Sequence, residues 1–451
     1  MSPTLGPDLP IVHPLGSRGR ANTPRNTSLS RTTSTGEYTS PRSPTRSISS
    51  TSIQFEDGEI DVVRVEGLKH SAIRLEARRY KSLPFSEQLL NIIRSLHIPS
   101  WATSDVAASA LNVFKVSGSL TNAVFFVSCP SLPVLPTVLL RIYGPSSGSL
   151  ISRPRELHIL HLLSSQYHIG PRVYGTFENG RIEEYFDSTA LTAADLRDPK
   201  ISSWIGARMA ELHQVDVSAV EKSSSSDHIY EIGAKRNVKS WLVAAREVLA
   251  LPSVSDSVRQ AFDLDSFEKE WDMYVSWLDK QEKLEGASPV VFAHNDTQYG
   301  NLLKLTNSPA GKTEHRQIIV VDFEYASVNP AAFDIANHFH EWTANYHSTT
   351  PHILNPNRYP TLAQRRNFYN AYLKHVSPTT VEDPSDVQLS RLDQQVRLWS
   401  PASHGMWAIW GIVQAREDLE GKDAEPEFDY VGYARCRMDG FRRELRNLGA
   451  I

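Results

Sequence analysis

The chain has 451 residues, 40% hydrophobic and 22% charged, enough for two or three lobes around a packed core. A formal net charge of −4 argues against a general nucleic-acid binder, which carries a strong basic excess. Two cysteines, Cys129 and Cys436, cannot build a disulfide scaffold or a cysteine-rich zinc site. No apolar run reaches the ~18–20 residues that span a bilayer, and the N-terminus lacks a secretory apolar core. A cytoplasmic protein without stable membrane insertion is expected.

Residues 1–52 stand apart. Ser and Thr fill 20 of the 52 positions, and six Arg against Asp8 and Glu37 give a net +4. Such a stretch buries too little apolar surface to offset its ordering entropy, so disorder is expected. Thr23-Pro24, Ser40-Pro41 and Ser43-Pro44, with Arg three residues before Ser28, Ser34 and Ser49, make it a candidate for phosphorylation by protein kinases. Its charge is too dispersed for a lipid-binding patch.

Residues 53–110 read as an N-terminal extension. Ser86 is the expected cap of a helix near 86–97, with Leu89, Ile92, Ile93 and Leu96 on one face and Pro99 beyond its end. Residues 111–187 read as a small lobe of five strands and one helix. Val113 to Val116 and Val124 to Val127 flank a Gly-containing turn, Ser117-Gly118-Ser119-Leu120-Thr121-Asn122. Thr137 to Tyr143 is a third strand, Glu156 to Ser165 has helical spacing, and Val173 to Phe177 pairs with Ile182 to Phe186 around Asn179-Gly180. Residues 188–451 read as a mainly helical lobe, interrupted by apolar strands at Val290 to Ala293 and Ile318 to Phe323. The polar stretch 376–390 reads as a loop.

Two segments at strand ends carry the chemistry: His294-Asn295-Asp296-Thr297-Gln298-Tyr299-Gly300-Asn301, and Val320-Val321-Asp322-Phe323-Glu324. Phosphoryl transfer needs a carboxylate near the acceptor hydroxyl and oxygen ligands for Mg²⁺. Protein kinases place an Asp, then an Asn five residues on, then an Asp on the next strand. Asp296 and Asn301 keep that spacing, and Asp322 follows 21 residues later, room for one hairpin. Singly, His294 is a core histidine, Asp296 a turn residue and Asp322 a strand-end cap; in this order behind two apolar strands they read as catalytic. Gly118 and its small neighbours allow backbone N–H groups to approach phosphates. Arg141, inside an apolar strand, is the candidate phosphate cation, with Glu156 on the next helix as its acidic partner.

The chain resembles the choline/ethanolamine kinases over about residues 80–445. The matching segments are FKVSGSLTNAVF (114–125), LLRIYG (139–144), GPRVYGTFENGRIEEYF (170–186), FAHNDTQYGNLL (292–303), VVDFEYASVNPAAFDIANHFHEW (320–342) and SHGMWAIWGIVQA (403–415). The resemblance implies an α+β, protein-kinase-like two-lobed fold. It has a small β-sheet lobe carrying one key helix and a larger helical lobe. It implies ATP as co-substrate and Mg²⁺ as cofactor, with Asp296 as the base and Asn301 and Asp322 as metal ligands. Gln298 lies in the same loop. Ser117 to Asn122 would cover the phosphates that Arg141 reaches, and adenine would sit near Glu184 and Phe186. Asp334 would brace the catalytic loop, with His294 structural. Relatives are commonly dimers, so it also implies a homodimer.

Choline carries a quaternary ammonium that cannot donate a hydrogen bond, so aromatic faces and a carboxylate must recognise it. Glu341, Tyr346, Trp407, Trp410 and Tyr433 match the family's choline pocket. Trp407 and Trp410 are three apart on an apolar helix, hence on one face; aromatic pairs at that spacing otherwise simply pack. The chain departs from the family where its phosphate turn lacks two consecutive glycines. It departs again at Ala344 and Asn345, where relatives carry a tyrosine and an acid. The expected activity is ATP-dependent phosphorylation of choline to phosphocholine for phosphatidylcholine synthesis. Ethanolamine kinase, or dual use of both amines, is the nearest rival, and a non-catalytic kinase-fold scaffold is the reading from another class.

Overall fold

The computed structural model describes residues 50–53, 62–65, 67–118, 122–143, 153–221, 230–307, 311, 313–376, 383–420 and 428–451. The phosphorylation motifs within 1–49, the turn residues Ser119, Leu120 and Thr121, and 377–382 of the expected loop lie outside them. The chain divides into two compact units. One comprises the described residues up to Ala190 together with Gly300–Glu324; the other comprises those of Leu191–Tyr299 and Tyr325–Ile451.

The first unit is built on a six-stranded sheet in the order His70–Ser71, Val173–Phe177, Gly180–Glu184, Val138–Tyr143, Asn122–Ser128, Asn112–Gly118. Five of these strands follow from the alternating and apolar runs of the sequence. The sixth, His70–Ser71, is too short to show a period. It pairs parallel to Val173–Phe177, supported by a 2.9 Å contact between His70 Nδ1 and Thr176 Oγ1. The Asn179 side chain closes that edge, accepting from the Leu75 N–H at 3.0 Å and donating to the Leu75 carbonyl at 2.8 Å.

Gly180 is there for space. A Cβ at this position would stand 2.2 Å from the Arg141 carbonyl oxygen, a backbone atom that cannot yield. Gly180→Ala is therefore expected to cost at least the ~1–3 kcal/mol of an overpacked core, measured as a lower melting midpoint. An unchanged midpoint contradicts this account of the strand pair.

The helix Leu83–Ser95 starts earlier than the spacing predicts. Ser82, not Ser86, is the cap, its side chain accepting from the Phe85 N–H. Pro84 is tolerated in the first turn because its missing N–H would have no helical partner, and Ser86 is buried inside the helix. Phe85, Leu89, Ile92, Ile93 and Leu96 share one core with Trp101, Phe125, Val127 and Leu140. The helix Arg153–Leu162 runs into a single π turn, Leu163–Tyr167, and ends at His168 with a left-handed φ of 56°. A second sheet of the same unit joins Ser188–Ala190, Leu302–Leu305 and Ile318–Val320. The last is shorter than the predicted strand because Asp322 turns the chain with φ 69°.

In the second unit the strand Val290–Ala293 pairs with Ser327–Pro330. The main helices are Pro199–His213, Gly233–Leu249, Leu264–Glu285, Ala331–Glu341, Leu362–Val376, Asp386–Gln414 and Tyr430–Leu448. The long helix begins within the stretch 376–390 read as a loop. Ser385 and Gln388 form a capping box, and the polar residues after it are the solvent side of its first turns. This helix packs on Tyr430–Leu448, Ala331–Glu341 and Gly233–Leu249. Ala331–Glu341 is buried at every position although it carries Asp334, Asn337, His338, His340 and Glu341. Each of these needs a partner, and the partners of Asp334, Asn337, His338 and Glu341 build the candidate site. Among the described residues no helix is long and apolar enough to cross a membrane.

Candidate active site

The segment after Val290–Ala293 is held from behind by Asp334. Its Oδ1 accepts from the Asn295 N–H at 2.8 Å, and its Oδ2 accepts from the His294 N–H at 2.9 Å and from His213 Nε2 at 3.0 Å. Burial alone would raise the Asp334 carboxyl. The His213 hydrogen bond and charge, with help from His294, outweigh it and hold the group below the ordinary carboxylate range. The other His213 ring nitrogen lies 2.8 Å from the Tyr372 hydroxyl.

Asn295 adopts a left-handed φ of 65°, a conformation Asn tolerates better than most residues. Its side chain donates to the Tyr325 carbonyl and to Ser327 Oγ, and accepts from Asn329 Nδ2. Its carbonyl accepts from Asn337 Nδ2 at 2.9 Å. That turn sets the direction of Asp296, whose N–H donates to His294 Nδ1 at 3.2 Å. Asp296 and Gln298 are buried, and Asp296 keeps 7% exposure. The loop is fastened again at Thr297, whose carbonyl lies 2.8 Å from His338 Nδ1. A carbonyl only accepts, so Nδ1 carries the hydrogen; Nε2 then accepts from the indole N–H of Trp342 at 3.2 Å. The bond from Trp342 needs neutral His338, and burial drives its pKa down to about 4.

Asn301 and Asp322 belong to the first unit, and the strand register brings them together. Leu302 faces Val320 and the Val321 N–H donates to the Asn301 carbonyl at 3.0 Å, so the two side chains leave adjacent strand ends. Both are buried. A carboxylate and a carboxamide are oxygen donors of the kind a hard divalent cation takes, so these residues fit Mg²⁺. Phe323 packs against Gly170.

At the sheet of the same unit, Arg141 faces Arg181 across the Val138–Tyr143 and Gly180–Glu184 pair. Arg141 is 3% exposed, with Nε 3.7 Å from Glu183 Oε1. The short bond to Glu156 comes from Arg181 Nη2, at 2.8 Å, and Arg181 also bonds Glu183 and the Tyr143 hydroxyl. The Arg141 charge reaches Glu156 as well: burial raises that carboxyl, and Arg181 and then Arg141 bring it below its ordinary value. The predicted pair is thus part of a four-charge cluster, and Arg181 and Glu183 are the members that went unforeseen. Ser117, Gly118 and Asn122 lie on the paired strands, with Gly118 opposite Ala123. Phe186 packs with Leu303 and Val321, and Glu184 Oε2 accepts from the Arg172 N–H at 3.1 Å.

The aromatic residues gather in the second unit. Trp407 and Trp410 meet edge to face at 5.2 Å, Tyr325 lies 5.3 Å from Trp407, and Tyr433 and Tyr430 lie 5.9 and 5.8 Å from Trp410. The indole N–H of Trp407 donates to Asn337 Oδ1 at 2.7 Å and that of Trp410 to the Tyr325 hydroxyl at 2.9 Å, which fixes both rings. Glu341 accepts from the Tyr346 hydroxyl at 2.7 Å and from Arg437 Nη2 at 2.8 Å. Arg437 Nε donates to the Tyr433 hydroxyl at 3.0 Å. The predicted carboxylate therefore already has a cation. Burial raises the Tyr433 hydroxyl, partly against Arg437, and the charges of Glu341 and Asp296 add to the rise. Asp296 is thus an electrostatic neighbour of this aromatic group.

His213, Asn295, Tyr325, Asn337, His338 and Arg437 were not singled out from the sequence. Their one signal is the density of polar residues in segments otherwise apolar enough to be core.

The sequence profile described as choline/ethanolamine kinase matches residues 113–442. A choline kinase of Schizosaccharomyces pombe is 33% identical over 81% of this chain and 90% of its own length. A probable choline kinase of Arabidopsis thaliana is 35% identical over 74% of this chain and 86% of its own. The crystal structure of a choline kinase from Cryptosporidium parvum superposes with a TM-score of 0.65 at 26% identity, covering 81% of this chain and 98% of that one. With its α+β, protein-kinase-like fold, the chain belongs to the choline/ethanolamine kinase family.

Proposed function

We propose that the chain transfers the γ-phosphoryl group of ATP to the hydroxyl of choline, giving phosphocholine and ADP. The observation that carries this reading is the second unit's combination of a carboxylate on a braced turn, Asp296, with the aromatic group of Trp407, Trp410 and Tyr433. In the proposed mechanism Asp296 accepts the choline hydroxyl proton as the oxygen bonds to the γ-phosphorus and the bond to the bridging oxygen breaks. Asn301 and Asp322 would hold Mg²⁺, which when bound offsets the charge of the phosphates. Arg141 contributes positive charge to the phosphate end, with Glu156, Arg181 and Glu183 holding it in place.

The ammonium head is assigned to the aromatic faces. Glu341 is occupied by Arg437 and Tyr346, so it contributes by fixing the pocket more than by pairing with the ligand. A quaternary ammonium fits such a site better than a primary ammonium, which needs acceptors for its three N–H groups. The same reading places the reaction in the cytoplasm, supplying phosphocholine for phosphatidylcholine synthesis.

Steady-state turnover of choline and ethanolamine by the parent chain and by Trp410→Leu tests the assignment. Loss of one cation–π face, about 0.5–2 kcal/mol, should lower kcat/KM for choline by roughly 2–30-fold, with a smaller loss for ethanolamine. Equal losses for the two amines would place the ammonium elsewhere.

A further inference from the structure

One polar cluster of the second unit is not used by the proposed phosphoryl transfer. His340, His404 of the helix Asp386–Gln414 and Glu444 of the helix Tyr430–Leu448 converge, one ligand atom of each lying within 4.8 Å of the others. His340 Nε2 and His404 Nε2 stand 3.8 and 3.6 Å from the same Glu444 oxygen, and the two ring centroids are 4.0 Å apart. His404 is 2% exposed, and neither of its ring nitrogens has a hydrogen-bond partner; the second Glu444 oxygen has none either. All three residues line a cavity of about 150 Å³, ample for an ion and a water.

The fold makes room for this arrangement. A Cβ at Gly440 would fall 2.6–2.8 Å from three atoms of the His404 ring, so glycine there lets the imidazole lie against the neighbouring helix. Leaving an imidazole dry and unbonded is costly, and an ion held by one nitrogen of each ring and by the carboxylate gives His404 a partner. Of the positive groups nearby, Arg437 is committed to Glu341 and Arg443 lines the cavity. Ser400 Oγ lies 2.8 Å from His340 Nε2 and would yield that nitrogen. Cys436 lines the cavity, but its sulfur takes the Leu354 N–H at 3.4 Å.

We propose that His340, His404 and Glu444 form a binding site for a divalent transition-metal ion of the zinc or cobalt class, with water in the fourth position. Two imidazoles and one carboxylate suit such ions and disfavour magnesium, which takes oxygen donors. The proposal does not depend on the choline assignment.

The test is titration of the untagged full chain with Co²⁺ in excess Mg²⁺, so that oxygen-only donors are already filled. One equivalent of Co²⁺ should produce the visible absorption of a low-coordinate, nitrogen-ligated site. Zn²⁺ should bleach it and raise the melting midpoint. His404→Gln and Glu444→Gln should each weaken binding by more than the ~10–100-fold that loss of an outer-shell partner costs. His340→Asn replaces either variant if its metal-free melt shows that it does not fold. No absorption from the folded parent, or parent-like affinity in a folded variant, overturns the site and leaves a buried cluster that only packs.

Discussion

Asp296→Asn should lower kcat for choline by about 10²–10⁴-fold, the usual worth of a positioned general base, and leave the choline KM within a few-fold. The amide fits the same space and keeps the backbone N–H bond to His294, but it cannot take the hydroxyl proton. The aromatic residues and Asn301 with Asp322 are untouched, so stabilisation by Mg-ATP in a thermal melt should persist. Steady-state kinetics and a melt on one preparation separate the outcomes. Lost turnover with retained nucleotide stabilisation supports the assignment. Retained turnover would move the base to another group, and loss of both would mean that the loop had collapsed.

Asp334→Asn should be among the most damaging single changes in the second unit. The carboxylate takes three hydrogen bonds, two from consecutive backbone N–H groups and one from His213. An amide replaces one acceptor with a donor, which then faces a donor inside a dry core. The expected loss is about 3–5 kcal/mol, or roughly 10 °C in melting midpoint, with activity falling because the turn that aims Asp296 is released. The pH dependence has a fixed sign. The folded carboxyl lies below its ordinary value, so its contribution is fully present above the unfolded carboxylate pKa of about 4 and is lost as pH falls through the folded pKa. The difference in midpoint between parent and variant should therefore be largest near neutral pH and shrink on acidification below about pH 4. A difference that grows in acid would mean that Asp334 is not ionised in the folded protein.

Much of this arrangement was legible in the residues. The strands Val173–Phe177 and Val290–Ala293 have the predicted bounds, because a short apolar run between turn residues has few other options. The spacing of Asp296, Asn301 and Asp322 anticipated the hairpin that brings Asn301 beside Asp322. What escaped notice depends on contacts between distant segments. Nothing local distinguishes Arg181 from a surface arginine, yet Glu156, 25 residues away, is its partner. Arg437 bonds Glu341 across 96 residues, and His213 reaches Asp334 across 121. Capping was misread where Pro84 hid the true start of the helix at Leu83. The strand His70–Ser71 exists because its neighbour offers an edge.

Phosphocholine formation is the most direct measurement: the full chain with Mg²⁺, ATP and either choline or ethanolamine, products identified by mass and ADP counted against them. The account predicts phosphocholine and ADP in equal amounts, a higher kcat/KM for choline than for ethanolamine, and no product from Asp296→Asn beyond a trace. Folded protein that is stabilised by Mg-ATP yet phosphorylates neither amine would contradict it.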